Sequence, residues 1–157
     1  MVSLINLIIL WIHIFSAILF VGGSFFIWLI IVPASKEIFK DEKERTLALG
    51  KIAKRFGKLV YINLITLILT GLYSLTWYLP SFDLLNPSAR VLLIKVTLVF
   101  LMIILIYIHN IYFGKRITKL AKENKMKELW NLRRMSRKIA YSNLILMALI
   151  TFLAVFL

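Results

Sequence analysis

The chain reads as an all-α, polytopic membrane protein, a bundle of four transmembrane helices with both termini outside the cell. Three observations predict this. Hydrophobic residues make up 61% of the 157 positions, and mean hydropathy is +0.89, a membrane composition rather than that of a soluble domain. The apolar residues gather into four runs, at about 4–32, 56–79, 90–114 and 139–157, each long enough to cross a ~30 Å hydrocarbon core as a helix. Of 20 Lys and Arg, eight lie between Lys36 and Lys58, ten lie between Lys115 and Lys138, and only Arg90 and Lys95 fall elsewhere. Charge confined to two segments between apolar runs is the positive-inside pattern, so 33–55 and 115–138 are expected as basic cytoplasmic loops of a multi-pass plasma-membrane protein.

The same placement accounts for the net charge of +13 without nucleic acid. The partner it implies is the bilayer itself, through its anionic cytoplasmic leaflet. Residues 1–157 are read as a single domain, because no polar stretch is long enough to build a soluble core. Cysteine is absent, which excludes disulfides, thiolate metal sites and thiol catalysis. The first 35 residues hold no Lys or Arg. The first apolar run far exceeds the roughly 7–15 residues of a cleavable signal, so it is expected to stay as a helix.

The first helix is expected to end at Pro33. On it His13 shares a face with Ser16, Ala17, Gly23 and Ser24. Small residues let a neighbouring backbone or a flat ligand approach, and the Gly22-Gly23 pair weakens the helix locally. The first basic segment mixes Glu37, Asp41, Glu42 and Glu44 with lysines and is expected to be helical and solvated, with Leu47, Leu49, Ile52 and Phe56 resting on the membrane surface. The second helix carries a polar stripe of Asn63, Thr66, Thr70, Ser74 and Trp77, which marks its protein-facing side. The link 80–89 lacks basic residues and is placed outside. On the third helix Lys95, Met102 and His109 are spaced seven apart and so lie along one face. An ionisable group in a spanning helix is costly and turns to the bundle interior or a water-filled cavity. The second basic segment, with Leu120, Leu129, Trp130 and Leu132 among its charges, is expected as helix extensions and an interfacial piece. The fourth helix places Ala140, Asn143, Met147, Thr151 and Ala154 on one face. Trp77 and Tyr78 would mark the outer rim of an aromatic belt, and Trp28, Tyr61, Tyr112 and Tyr141 the inner one.

At ~1.5 Å per residue these positions sort into layers. His13, Lys95, Thr70 and Ser74 fall in the outer half, His109 with Asn63 and Asn143 in an inner layer, and Met102 and Met147 between. His13 and His109, the only histidines, are expected ~15 Å apart in depth, too far to hold one haem iron between them. A haem with His13 on one side and Lys95 or nothing on the other fits the spacing. Plain alternatives are a core histidine bonded to a neighbouring helix, a snorkelling lysine and methionines that only pack.

Several short elements carry a resemblance. Trp11-x-His13 followed by Val21-Gly22-Gly23, then Lys54-Arg55-Phe56, Thr70-Gly71-Leu72-Tyr73 and Leu92-Leu93-Ile94-Lys95-Val96, resemble the membrane domain of copper-resistance D (CopD-type) proteins over roughly residues 10–109. HemJ-type protoporphyrinogen oxidases look like distant relatives, small four-helix proteins with an important His on the first helix and Lys on the third, which His13 and Lys95 match. Where those oxidases carry Leu-Pro-Arg, this chain reads Ile30-Ile31-Val32-Pro33. The resemblance implies copper handling at the cell membrane or binding of haem b. The metal-site candidates are then His13, Lys95, His109, Met102 and Met147. Gly22, Gly23, Thr70 and Gly71 would leave space for the bound group. Two other functions are carried forward: a non-catalytic subunit stabilising a larger membrane complex or homo-oligomer, and a haem-dependent porphyrinogen oxidase.

Overall fold

Each apolar run forms a helix, and each helix runs on into the charged segment beside it. The computed structural model describes residues 3–78 and 87–156, with the side chains of Trp77 and Tyr78 outside that description. The expected outer aromatic pair and most of the 80–89 link therefore lie outside the described residues. Helix α1 (Leu4–Phe26) passes through a π-helical turn, Ile27–Ile31, into α2 (Val32–Ile38), and a short turn leads to α3 (Glu42–Tyr78). Helix α4 (Pro87–Tyr107) passes through a second π-helical turn, Ile108–Gly114, into α5 (Lys115–Lys122), and α6 (Met126–Leu153) completes the bundle.

Three boundaries differ from the sequence reading. Pro33 does not end the first helix, which continues to Ile38. Proline breaks an α-helix by removing a donor and pressing on the carbonyl a turn back. Here Pro33 sits at the start of α2, directly after the π-turn, where the Val32 N–H already reaches back to the Ile27 carbonyl. The basic segments 33–55 and 115–138, expected to be helical or helix-extended, are continuous with the spans: α3 starts at Glu42, α5 extends to Lys122 and α6 starts at Met126. A 37-residue helix such as α3 is ~55 Å long, against ~30 Å of hydrocarbon. The surplus forms a basic stalk at one end of the bundle.

The stalk has well-formed caps. Asp41 caps α3, accepting the Lys43 N–H at 3.3 Å and the Glu44 N–H at 3.1 Å. Between α5 and α6 the chain reverses at Asn124, whose φ of 55° lies in the left-handed region. The Lys125 N–H then bonds the Leu120 carbonyl at 3.1 Å, closing the α5 C-terminus as glycine more often does. Leu120, Ala121 and Leu129 form a small core beneath this turn.

Helices α1 and α3 pack antiparallel along their length. The Tyr73 hydroxyl donates to Asn6 Oδ1 at 3.1 Å near one end. At Gly23 an added Cβ would come within 2.6 Å of the Phe56 ring, so a larger residue there would displace that ring. Phe20, Val60, Leu64, Met102, Ile106, Leu144 and Met147 make the central core, drawn from all four spans. Only 11–22% of each span's most apolar stretch is buried within the chain, so most of that surface must face lipid or another membrane protein. Trp11, Ile18, Phe100 and Ile145 are among the exposed side chains.

One ionic knot joins the two halves of the stalk. Glu42 accepts from Arg45 at 2.8 Å and also pairs with Arg133 of α6, which donates to the buried Thr46 hydroxyl as well. This region lies outside the apolar spans. Burial, and then the nearby Arg137, pull the Arg133 guanidinium down from its ordinary range, although a guanidinium stays charged in proteins. Glu42 is thus the single anion among three cations. Glu42→Gln should cost about 1–3 kcal/mol by leaving half-buried charge unpaired. The expected outcome is a lower melting temperature in detergent, partly restored in Glu42→Gln/Arg133→Gln; unchanged melting of the single variant would contradict the assignment.

Candidate functional site

In the outer layer, the polar stripe of α3 turns inward, with Ser74 buried and Thr70 half-buried. Each hydroxyl bonds the carbonyl four residues back: Thr66 to Ile62 at 3.0 Å, Thr70 to Thr66 at 2.6 Å, and Ser74 to Thr70 at 2.9 Å. That local pattern has a consequence across the helix pair. His13 Nδ1 lies 2.7 Å from Thr70 Oγ1. The threonine has one hydroxyl hydrogen, and the Thr66 carbonyl takes it. With the hydroxyl hydrogen on that carbonyl, Nδ1 carries the ring proton and donates. The Nε2 lone pair is left with no protein partner among the described residues.

Gly71 makes room for this arrangement. A Cβ there would stand 3.4 Å from His13 Cε1. Lys95 of α4 is half-buried and lies within electrostatic reach of the imidazole. Thr70 and Gly71 thus touch His13, with Lys95 within electrostatic reach. Gly22 and Gly23 do not. Gly22 faces open space and Gly23 is filled by the Phe56 ring, and both lie ~14 Å further along the helix. Neither lies beside His13.

The inner layer is organised differently. His109 sits in the second π-turn. Its Nδ1 lies 3.4 Å from Asn110 Oδ1, an acceptor, and its Nε2 lies 3.1 Å from the buried Ser136 hydroxyl. Nδ1 donates and Nε2 accepts, so neither ring nitrogen is left free. Trp28, from the first π-turn, meets the imidazole edge at a centroid distance of 6.1 Å and tilts against Tyr141 at 5.7 Å. The two π-turns face each other through this contact, and π-turns inside α-helices often mark functional positions. The sequence reading missed both Ser136 and the Trp28 contact; a Pro two residues beyond one π-turn and Gly114 closing the other are the faint signals it offered.

Asn63 and Asn143 are buried, each 6% exposed, and Asn63 Nδ2 and Asn143 Oδ1 have no partner. Met102 and Met147 pack into the aliphatic core, each 4% exposed. Among the described residues no group of three or more His, Asp or Glu side chains gathers. The two histidines have separate partners on separate layers.

Four apolar helices of spanning length define a multi-pass membrane protein, with a polar layer around His13 at the end away from the stalk. The family model of copper resistance protein D matches residues 50–157, and the chain belongs to that family. The matched part contains Thr70, Gly71, Lys95 and His109 but begins beyond His13. No curated protein and no solved structure matches the chain.

The hydrogen-bond argument is directly testable, because two histidines give a readable spectrum. Nitrogen-15 NMR of histidine-labelled protein should show both rings as the Nδ1–H tautomer. Thr70→Val should release His13 alone to the commoner Nε2–H form. A wild-type His13 already in that form would contradict the assignment.

Proposed function

We propose that this copper-resistance D family member handles copper as cargo in the outer half of the membrane, with His13 Nε2 as the coordinating atom. The observation that carries the reading is the Thr70 hydroxyl, which takes the Nδ1 proton of His13 and leaves Nε2 as a lone pair beside Lys95. Metal-bound histidines characteristically donate their other ring N–H in this way. Imidazole suits copper, and copper(II) stands highest in divalent affinity for nitrogen sites.

Lys95 sets the condition for loading. As an ammonium it opposes a cation beside His13; as an amine it is a second nitrogen donor. Copper binding is therefore coupled to release of the Lys95 proton. A set of one imidazole and one amine, with no thiolate in the chain, suits exchange better than storage. The basic stalk supports an orientation with the stalk in the cytoplasm, both termini outside and the His13 layer nearer the outer surface of the plasma membrane. The low burial of every span supports a second role, as a subunit of a homo-oligomer or a larger membrane complex.

Metal analysis and an absorption spectrum on purified protein test this reading. About one copper per chain is expected, lost in His13→Ala and reduced in Lys95→Gln, with copper tolerance of the producing cells shifted in parallel. A Soret band that disappears in His13→Ala would assign haem to the same ligand instead. Protein with neither copper nor haem, and unchanged tolerance in His13→Ala, would refute both.

A further inference from the structure

Towards the stalk, the seam between α1 and α3 opens into a groove of about 430 Å³. Phe26, Ile27 and Ile31 line it on the first helix and its π-turn, and Ile52, Phe56 and Leu59 line it on α3. Arg55 stands at its rim. The groove adjoins a broader hollow of about 600 Å³ lined by Lys51, Lys54, Arg55 and Lys58, and Ile52 and Arg55 belong to both. No acidic residue lines either.

The four basic residues fall at helical steps of three and four and share one face of α3. All four are exposed, and none has an ion-pair partner among the described residues. Like charges at that spacing repel one another on a helix, so the face calls for an external anion. The apolar half of the same depression lies beside the spanning part of α1, where water is absent. An occupant must therefore be an amphiphile: apolar below, anionic above.

We propose that this depression holds one anionic phospholipid from the leaflet at the stalk end. Its phosphate sits at Arg55, flanked by Lys51 and Lys58, and one acyl chain lies along the seam between Ile27 and Phe56. The contact goes beyond general attraction of a basic surface to an acidic membrane, because a chain groove and a headgroup cradle share two residues. It is independent of the copper reading, since no residue of the His13 layer takes part. A lipid wedged at the π-turn would also brace the α1–α3 seam that carries His13.

Native mass spectrometry of the full chain, released from detergent with equal phosphatidylglycerol and phosphatidylcholine, tests the proposal. The wild type should retain one phosphatidylglycerol in preference to phosphatidylcholine. Lys51→Gln/Arg55→Gln/Lys58→Gln should lose that preference by roughly tenfold or more. Lys115→Gln/Arg116→Gln/Lys119→Gln, which removes equal charge elsewhere on the stalk, should keep it. Ile52→Trp, which fills the groove and leaves the charges, should weaken retention of the lipid. Equal losses in the two triple variants, or full retention in Ile52→Trp, would overturn the site. A photo-reactive residue at position 52 should capture lipid; capture of a protein chain instead would overturn it too.

Discussion

Thr70 has one hydroxyl hydrogen, and its own helix takes it. Everything distinctive about the outer layer depends on that. In water the constraint would be weak, because solvent would supply donors and acceptors freely. Inside a bilayer each polar group must be satisfied by the chain, so a local bond four residues back on α3 dictates the protonation of a ring on α1. The glycine that follows Thr70 lies against the same ring. The same seam is held at one end by Asn6 and Tyr73 and at the other by the contact of Phe56 with Gly23. The imidazole is thus oriented by helix packing rather than by a loop.

The two histidines show how environment assigns different roles to one side chain. His13 keeps a lone pair; His109 has both nitrogens bonded and an indole against its edge. His109 behaves as a structural pin between α4 and α6 at the level where both long helices change register. The stalk beyond it extends the same antiparallel packing into water, with the charged knot at Glu42 replacing the aliphatic core. Among the described residues, Asn63 and Asn143 in the bundle and Arg45 Nε in the stalk are left with unpaired buried polar atoms. An unpaired donor and an unpaired acceptor in the bundle core are costly groups to maintain.

The four spans were legible because hydropathy and charge both follow from the bilayer, which imposes one length and one chemistry on every crossing. That Thr70 meets His13 was legible for a related reason: polar residues within an apolar helix have nowhere to turn but inward. The helix ends were not. Pro33 reads as a stop, yet a π-turn just before it let the helix continue, and Pro33 and Gly114 signal the two π-turns only faintly. The basic segments were legible as helical, since Lys, Arg and Glu are good helix formers, but not as unbroken continuations of the spans. Gly22 and Gly23 illustrate a different gap. Spacing put them on or near the His13 face, but a small residue is equally a seat for a neighbour's ring, and only the packing distinguishes the two uses. Family membership covers residues 50–157, which include Thr70, Gly71 and Lys95 but not His13.

Pulsed electron paramagnetic resonance of copper(II)-loaded protein tests the central claim most directly, because it detects the remote nitrogen of a coordinated imidazole. Coordination through His13 Nε2 requires the signature of one imidazole per copper, present in the wild type and absent in His13→Ala. A spectrum with no imidazole nitrogen, or one that survives His13→Ala unchanged, would contradict the account.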